Sequence, residues 1–252
     1  MVAALACCAC AWIFSCRTGQ AQSLQSRRRE ELASPPKVLP TDLMQQVKAL
    51  GARLRKAGKE ESEYDGQFFD EKGLQKHLRV DHQISGVLRI DNLDEKTALS
   101  FDGDAVLGIK NRADESLVDS FVLDTPEGMI YALRNGASAQ SLGRGFVADS
   151  SRADSTAPHY DIYEITAPER THQGSATRVR RYYFDSETGL LAGTRYVDRS
   201  GVAVETRFLN WGEVDGSVYP SRIERYEDGH LMFAFVAGSI AGRSKQAETK
   251  SK

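Results

Sequence analysis

Between Arg178 and Ile240 apolar and polar side chains alternate in five consecutive runs: Arg178–Asp185, Leu190–Asp198, Val202–Trp211, Val218–Glu227 and His230–Ile240. Each is rich in Val, Tyr, Phe, Ile or Thr, which fit a pleated, half-buried surface. Between them stand Ser186-Glu187-Thr188-Gly189, Arg199-Ser200-Gly201, Asp215-Gly216 and Asp228-Gly229. Those residues supply the positive φ or the local side-chain hydrogen bonds that tight turns need, so the pattern predicts an antiparallel meander. In the third run Val202, Val204, Thr206 and Phe208 share one face, opposite Glu205 and Arg207. The last run is apolar on both faces: Leu231, Phe233, Phe235 and Ala237 line one, Met232, Ala234, Val236 and Ile240 the other. Such a strand must be covered on both sides.

Upstream, Leu43, Met44, Val47, Leu50 and Leu54 recur with a helical period. Thr41 is placed to cap that helix, Asp42 complements the dipole in its first turn, Lys48, Arg53, Arg55 and Lys56 load the far end, and Gly58 stops it. An amphipathic helix cannot bury its stripe alone, so it should lie on the sheet, either as core packing or as a lid over a cavity. From Tyr64 the period becomes two. Strands are expected over Tyr64–Phe69, His82–Ile90, Thr97–Phe101, Ala105–Lys110, Leu117–Leu123, Met129–Arg134, Gln140–Val147 and His159–Thr166. Leu74–Val80 reads as a short helix or a loop, and Ala148–Pro158 and Ala167–Ser175 read as loops.

About a dozen strands with one strong helix exclude architectures that alternate strand and helix. The fold class is mainly β (α+β), a curled antiparallel sheet with the amphipathic helix across its concave face. One helix of about four turns is too small to cover that face. Leaving several large side chains wet would cost several kcal/mol at about 25 cal/mol per Å2. Either further side chains or a ligand must fill the space.

Composition narrows the partner. A net charge of −2, with 40% apolar and 27% charged residues, gives no global attraction to nucleic acid or anionic membrane. All four cysteines (Cys7, Cys8, Cys10 and Cys16) lie in or beside the uncharged apolar run 2–15. That run supports three readings. It is a signal peptide over 1–21, cut after Gly19-Gln20-Ala21; an uncleaved anchor; or a lipoprotein leader in which Ile13-Phe14-Ser15-Cys16 is a degenerate lipobox and Cys16 is lipidated. Each puts the domain outside the cytoplasm, in the periplasm or cell envelope, folding without disulfides. Residues 22–40, with Arg27-Arg28-Arg29-Glu30-Glu31 and Pro35-Pro36, read as a flexible linker, 41–242 as one domain and 243–252 as a disordered tail.

Three segments of the meander carry a resemblance. They are Tyr182-Tyr183-Phe184-Asp185-Ser186-Glu187-Thr188-Gly189-Leu190-Leu191, Glu205-Thr206-Arg207-Phe208-Leu209-Asn210-Trp211, and Val214-Asp215-Gly216-Ser217-Val218-Tyr219-Pro220-Ser221-Arg222-Ile223. Together they resemble the C-terminal half of the outer-membrane lipoprotein carrier superfamily, the LolA/LolB-like fold. The resemblance implies an incomplete barrel with helices in its mouth and an apolar cavity that accepts acyl chains. On that basis Phe208, Trp211, Leu231, Phe233 and Phe235 are expected to line the cavity, with Leu43, Met44, Val47, Leu50 and Leu54 on the lid helix. The expected partners are a lipid or lipoprotein acyl chains, or an envelope protein held on the same fold. Membrane contact would be peripheral or through a lipid anchor.

Catalytic chemistry is not evident. The five histidines (His77, His82, His159, His172 and His230) form no metal-ligand spacing, and there is no Gly-x-Ser-x-Gly elbow, P-loop or Gly-x-Gly-x-x-Gly. No enzyme activity, cofactor or metal is expected. Arg178, Arg180 and Tyr182 on one strand face, with Arg181 and Tyr183 on the other, have the composition of a base-stacking platform. In a chain of negative net charge they read as solvated sheet faces, with no nucleic-acid partner.

Overall fold

Twelve strands of the computed structural model pair into one antiparallel sheet. The structure describes residues 39–54, 61–83, 87–101, 106–145, 159–171 and 174–243. The expectations for the leader, for Cys16, for the linker up to Val38 and for the loop Ala148–Pro158 lie outside the described residues. In chain order the strands are β1 (Glu61–Asp70), β2 (Gln75–Gln83), β3 (Leu88–Asn92), β4 (Thr97–Phe101), β5 (Val106–Leu107), β6 (Ser138–Gly145), β7 (Tyr160–Thr171), β8 (Gly174–Asp185), β9 (Leu191–Val197), β10 (Ala203–Val214), β11 (Ser217–Glu227) and β12 (His230–Arg243). The helices are α1 (Thr41–Leu54), α2 (Arg112–Val122) and α3 (Pro126–Arg134).

The spatial order is β5-β4-β3-β2-β1-β12-β11-β10-β9-β8-β7-β6, with β5 and β6 as unjoined edges. The two halves meet where β1 pairs with β12, Tyr64 opposite Ile240 and Phe68 opposite Phe235. Curvature follows from a length argument. The helix α2 touches β4 and, through Asp119, holds Arg178 of β8 at 3.3 Å. Those strands are eight steps apart in the sheet, roughly 38 Å if it were flat. An 11-residue helix spans only about 16 Å. The sheet must therefore wrap around the helices, and with its edges unjoined it is an incomplete barrel.

The meander forms as its pattern predicts. Asp215 and Gly216 (φ 53° and 80°) and Asp228 and Gly229 (φ 48° and 80°) take positive φ at both central turn positions, the geometry that two-residue hairpin loops favour. On β10, Val204, Thr206 and Phe208 face the core, at 2%, 0% and 2% exposure. The hairpin β7–β8 is longer than expected, because Ala167–Ser175, read as a loop, pairs as far as Thr171 with Gly174.

Several other expectations change. Leu117–Leu123 and Met129–Arg134, expected as strands, belong to α2 and α3. Start signals explain why: Asn111 caps α2 by accepting the Asp114 N–H at 3.0 Å, and Thr125 caps α3 by accepting the Gly128 N–H at 3.2 Å, with Pro126 in the first turn. Leu117, Val118, Phe121 and Val122 then form one buried helical stripe. Leu74–Val80 mostly forms β2, with Leu78 and Val80 pointing inward. His82–Ile90 spans the end of β2 and the start of β3, Ala105–Lys110 contributes only the two residues of β5, and the strand expected over Gln140–Val147 is β6.

Two bulges reset which residues face inward. Between Arg225 and Tyr226 the β11–β12 register slips, so Phe233 lies opposite Arg225 and Leu231 opposite Tyr226, leaving Met232 as the extra residue. Leu231 is consequently 39% exposed, while Met232 packs against the core. At the β1–β12 seam the register slips again between Asp65 and Gly66, bringing Ile240 onto the inner face beside Tyr64. Alternation alone had put Leu231 with Phe233 and Ile240 with Val236, and an inserted residue reverses both. A Cβ on Gly66 would stand 2.3 Å from the Val236 carbonyl oxygen, so this tight approach requires glycine.

Candidate functional site

Among the described residues the helices α1, α2 and α3 all lie on the concave face and share one core with the sheet. Leu43, Val47, Leu50 and Leu54 of α1 are buried, whereas Met44 points away at 43% exposure. Polar contacts fix α1 at its two ends: Asp42 accepts the Tyr163 hydroxyl at 2.9 Å, and Arg53 donates to the Thr188 carbonyl at 2.7 Å.

The α2–α3 corner is held by buried charge. Asp124, fully buried, accepts Arg180 Nε at 3.1 Å and the Thr206 hydroxyl at 2.7 Å, with Arg225 at 3.8 Å. Arg225 also donates to the Tyr196 and Ser120 hydroxyls and pairs with Glu227, which accepts the Ser116 hydroxyl at 3.2 Å. Tyr182 donates to the Leu123 carbonyl at 3.0 Å, and the Arg180 guanidinium lies 4.7 Å from the centre of the Tyr196 ring. Burial pushes the Asp124 carboxyl above its usual range, against the pull of Arg180 and Arg225. Desolvation likewise raises Tyr182 and Tyr196. Arg180, read from sequence as part of a solvated face, is thus buried, and Arg178 reaches Asp119 on α2. Arg181 does face outward, paired with Glu164 in a band of cross-strand pairs that continues through Arg195–Glu205.

Among the described residues the helices leave a sizeable space. A cavity of about 400 Å3 lies between the N-terminal half of α2, strands β1 to β4 and the start of β12. Its floor is apolar, built from Phe68, Leu78, Ile90, Leu117, Met232 and Phe233, and its rim is charged. Phe68 and Phe233 stack with ring centres 5.1 Å apart. Two smaller spaces, about 100 Å3 under α3 and about 20 Å3 beside Leu54, are too small for a ligand of ordinary size.

Of the residues expected to line a cavity, only Phe233 reaches this one. Phe208 borders the 20 Å3 gap, and Phe235 packs edge-on against Phe121 of α2 at 5.2 Å. Trp211 is half-buried and donates its indole N–H to the Leu191 carbonyl, and Leu231 is on the outside. The expected lid helix α1 does not border the cavity; α2 does. Among the described residues no cluster of three or more His, Cys, Asp or Glu is placed to hold a metal, and no helix is long and apolar enough to cross a membrane.

No protein-family model matches the chain, and no curated protein matches it either. Solved structures do. A LolA superfamily protein from Nitrosomonas europaea superposes with a TM-score of 0.55 at 11% identity, over 79% of this chain and 93% of that one. The fold is LolA-like. An outer membrane lipoprotein-sorting protein domain from Vibrio parahaemolyticus gives a TM-score of 0.48 at 9% identity, over 81% and 94% of the two chains. The likeness to the LolA superfamily structure thus extends over nearly all of that chain, on a sequence that retains little identity.

Proposed function

We propose that this chain is a non-enzymatic binding protein of the cell envelope that carries a lipid, or an acyl chain of a lipoprotein, in the cavity beneath α2. The observation that carries this reading is the cavity itself: about 400 Å3, with an apolar floor and a charged rim. Its volume falls within the range of about 300–1,000 Å3 usual for small-molecule sites. Each buried methylene contributes about 0.8 kcal/mol, so ten or so offset much of an association cost of about 4–15 kcal/mol. The LolA-like fold and the apolar run 2–15 support an exported carrier. The ligand-lining set becomes Phe68, Leu78, Ile90, Leu117, Met232 and Phe233, with α2 as the covering helix.

The test is lipid analysis by mass spectrometry of protein purified from its own envelope, together with titration of a fluorescent fatty acid. Saturable uptake is expected, weakened about tenfold or more by Leu117→Trp, which fills the cavity from the α2 side. Absence of both co-purified lipid and saturable uptake would sink the reading. A second reading, an assembly factor that holds a protein partner, is favoured by a groove of about 720 Å3 along β8 to β10, lined by Arg181, Tyr183, Arg195 and the exposed Val179 and Val197. In that case Val197→Asp would abolish partner binding and leave fatty-acid uptake intact.

A further inference from the structure

The rim of the cavity carries both signs of charge. Lys72, Lys76, Lys110 and Arg112 bring four cations. Asp70, Glu71, Glu95, Asp114 and Glu227 bring five carboxylates. Most are already committed. Lys76 pairs with Glu95 at 2.9 Å, and Arg112 pairs with Glu227 at 3.0 Å and with Asp198 at 3.2 Å. Asp70 accepts the N–H groups of Lys72 and Leu74, and Asp114 accepts that of Lys110. The side chains of Lys72, Lys110 and Glu71 make no ion pair within 4 Å among the described residues, although Lys110 is near enough to Glu95 to help lower its carboxyl. The lysines stand on two segments that flank the mouth, the β1–β2 turn and the approach to α2.

Each simple headgroup meets an obstacle. A purely anionic one faces a rim whose carboxylates outnumber its cations, and a purely cationic one faces two unpaired ammonium groups. An uncharged one would take water from those groups and return nothing. A group with a phosphate and an ammonium a few bonds apart meets neither repulsion. Volume sets the tail: about 400 Å3 is near the lower end for a ligand site and suits one acyl chain better than two.

Resting on the lipid-binding reading above, we infer that the cavity selects a single-chain zwitterionic amphiphile. Its phosphate lies toward Lys72 and Lys110, and its primary ammonium toward Asp70 and Glu71.

The test displaces a bound fluorescent fatty acid with four single-chain competitors of equal tail length: lysophosphatidylethanolamine, lysophosphatidylglycerol, a monoacylglycerol and an alkylammonium. Diacyl phosphatidylethanolamine and inorganic phosphate form two further arms. Lysophosphatidylethanolamine should compete best, by about three- to tenfold over the monoacylglycerol, as expected of two exposed charge contacts. In the Lys72→Gln/Lys110→Gln variant that ratio should fall to about one, and in the wild type it should shrink as salt rises. Equal competition by all four, a stronger lysophosphatidylglycerol, or a ratio unmoved in the variant overturns the headgroup assignment and leaves the lipid reading standing. Tighter binding of the diacyl lipid overturns the single-chain assignment, and displacement by inorganic phosphate alone makes this a phosphate site. If no amphiphile competes, the lipid reading fails and this inference with it.

Discussion

Asp124 is the residue on which the α2–α3 corner turns. It contacts Arg180 on β8, Thr206 on β10 and Arg225 on β11, and is itself fully buried. Taking such a group out of water is expensive, and the arrangement is tolerable only because two guanidiniums and a hydroxyl surround the carboxylate. Asp124→Ala removes the anion and strands the buried Arg180, while Arg225 keeps Glu227, so it should cost about 3–5 kcal/mol in urea unfolding. Pairing Asp124→Leu with Arg180→Met, which removes charge from both sides, should recover a substantial part of that loss. A cost below about 1 kcal/mol for the single variant would show that the network holds nothing. None of this was legible in the sequence. Asp124 is one acid between Leu123 and Thr125, its partners are 56 to 101 positions away, and a strand bearing Arg178 and Arg180 looks the same whether its face is wet or clamped beneath a helix.

At the level of elements, the turns, the meander strands and the helix α1 were readable, and the covering helices α2 and α3 were not. Asp-Gly pairs specify two-residue hairpins through φ alone, a local property, which is why the meander could be placed. For α2, the Val and Phe content of Leu117–Leu123 argued for a strand, while the deciding evidence lay six residues upstream, where Asn111 caps a turn that also holds Asp114 and Glu115. Thr125-Pro126-Glu127 was the corresponding signal for α3. The bulges were hidden for another reason: alternation has no marker for an inserted residue, so Leu231 and Met232 exchanged roles unseen. Only Gly66 hints at the seam. Gly66→Ala would drive a methyl into the Val236 carbonyl and the Phe235 ring, at 2.3 and 2.8 Å. A loss of about 2–4 kcal/mol is expected in chemical denaturation, with the hydrogen-exchange protection of β1 and β12 falling first. A substitution that leaves both unchanged would mean that the seam relaxes freely.

Over the whole molecule, the pairing of β1 with β12 makes the cavity possible. It joins the start of the described sheet to its end, so that Phe68 on one strand and Phe233 on the other form a single floor. Sequence could supply the residues of that floor but not their meeting, which depends on a contact between strands some 165 positions apart and on the helix α2 lying over them. Because the floor is part of the one continuous core, occupancy should stabilise the entire domain rather than a loop. Free ligand at 100 times its Kd adds about 2.7 kcal/mol to the folded state. For a domain of roughly 200 residues each kcal/mol moves Tm by about 2–4 °C, so an upward shift of about 5–10 °C is expected in scanning calorimetry. Delipidated protein should show the lower Tm and regain the higher one on adding the amphiphile, and Leu117→Trp, with its cavity filled, should not respond. A Tm that stays fixed while the fluorescent fatty acid binds would mean that the unfolded chain takes up the ligand as well as the folded one does, and so would remove the folded cavity as its site, because only a ligand that prefers the folded state raises Tm.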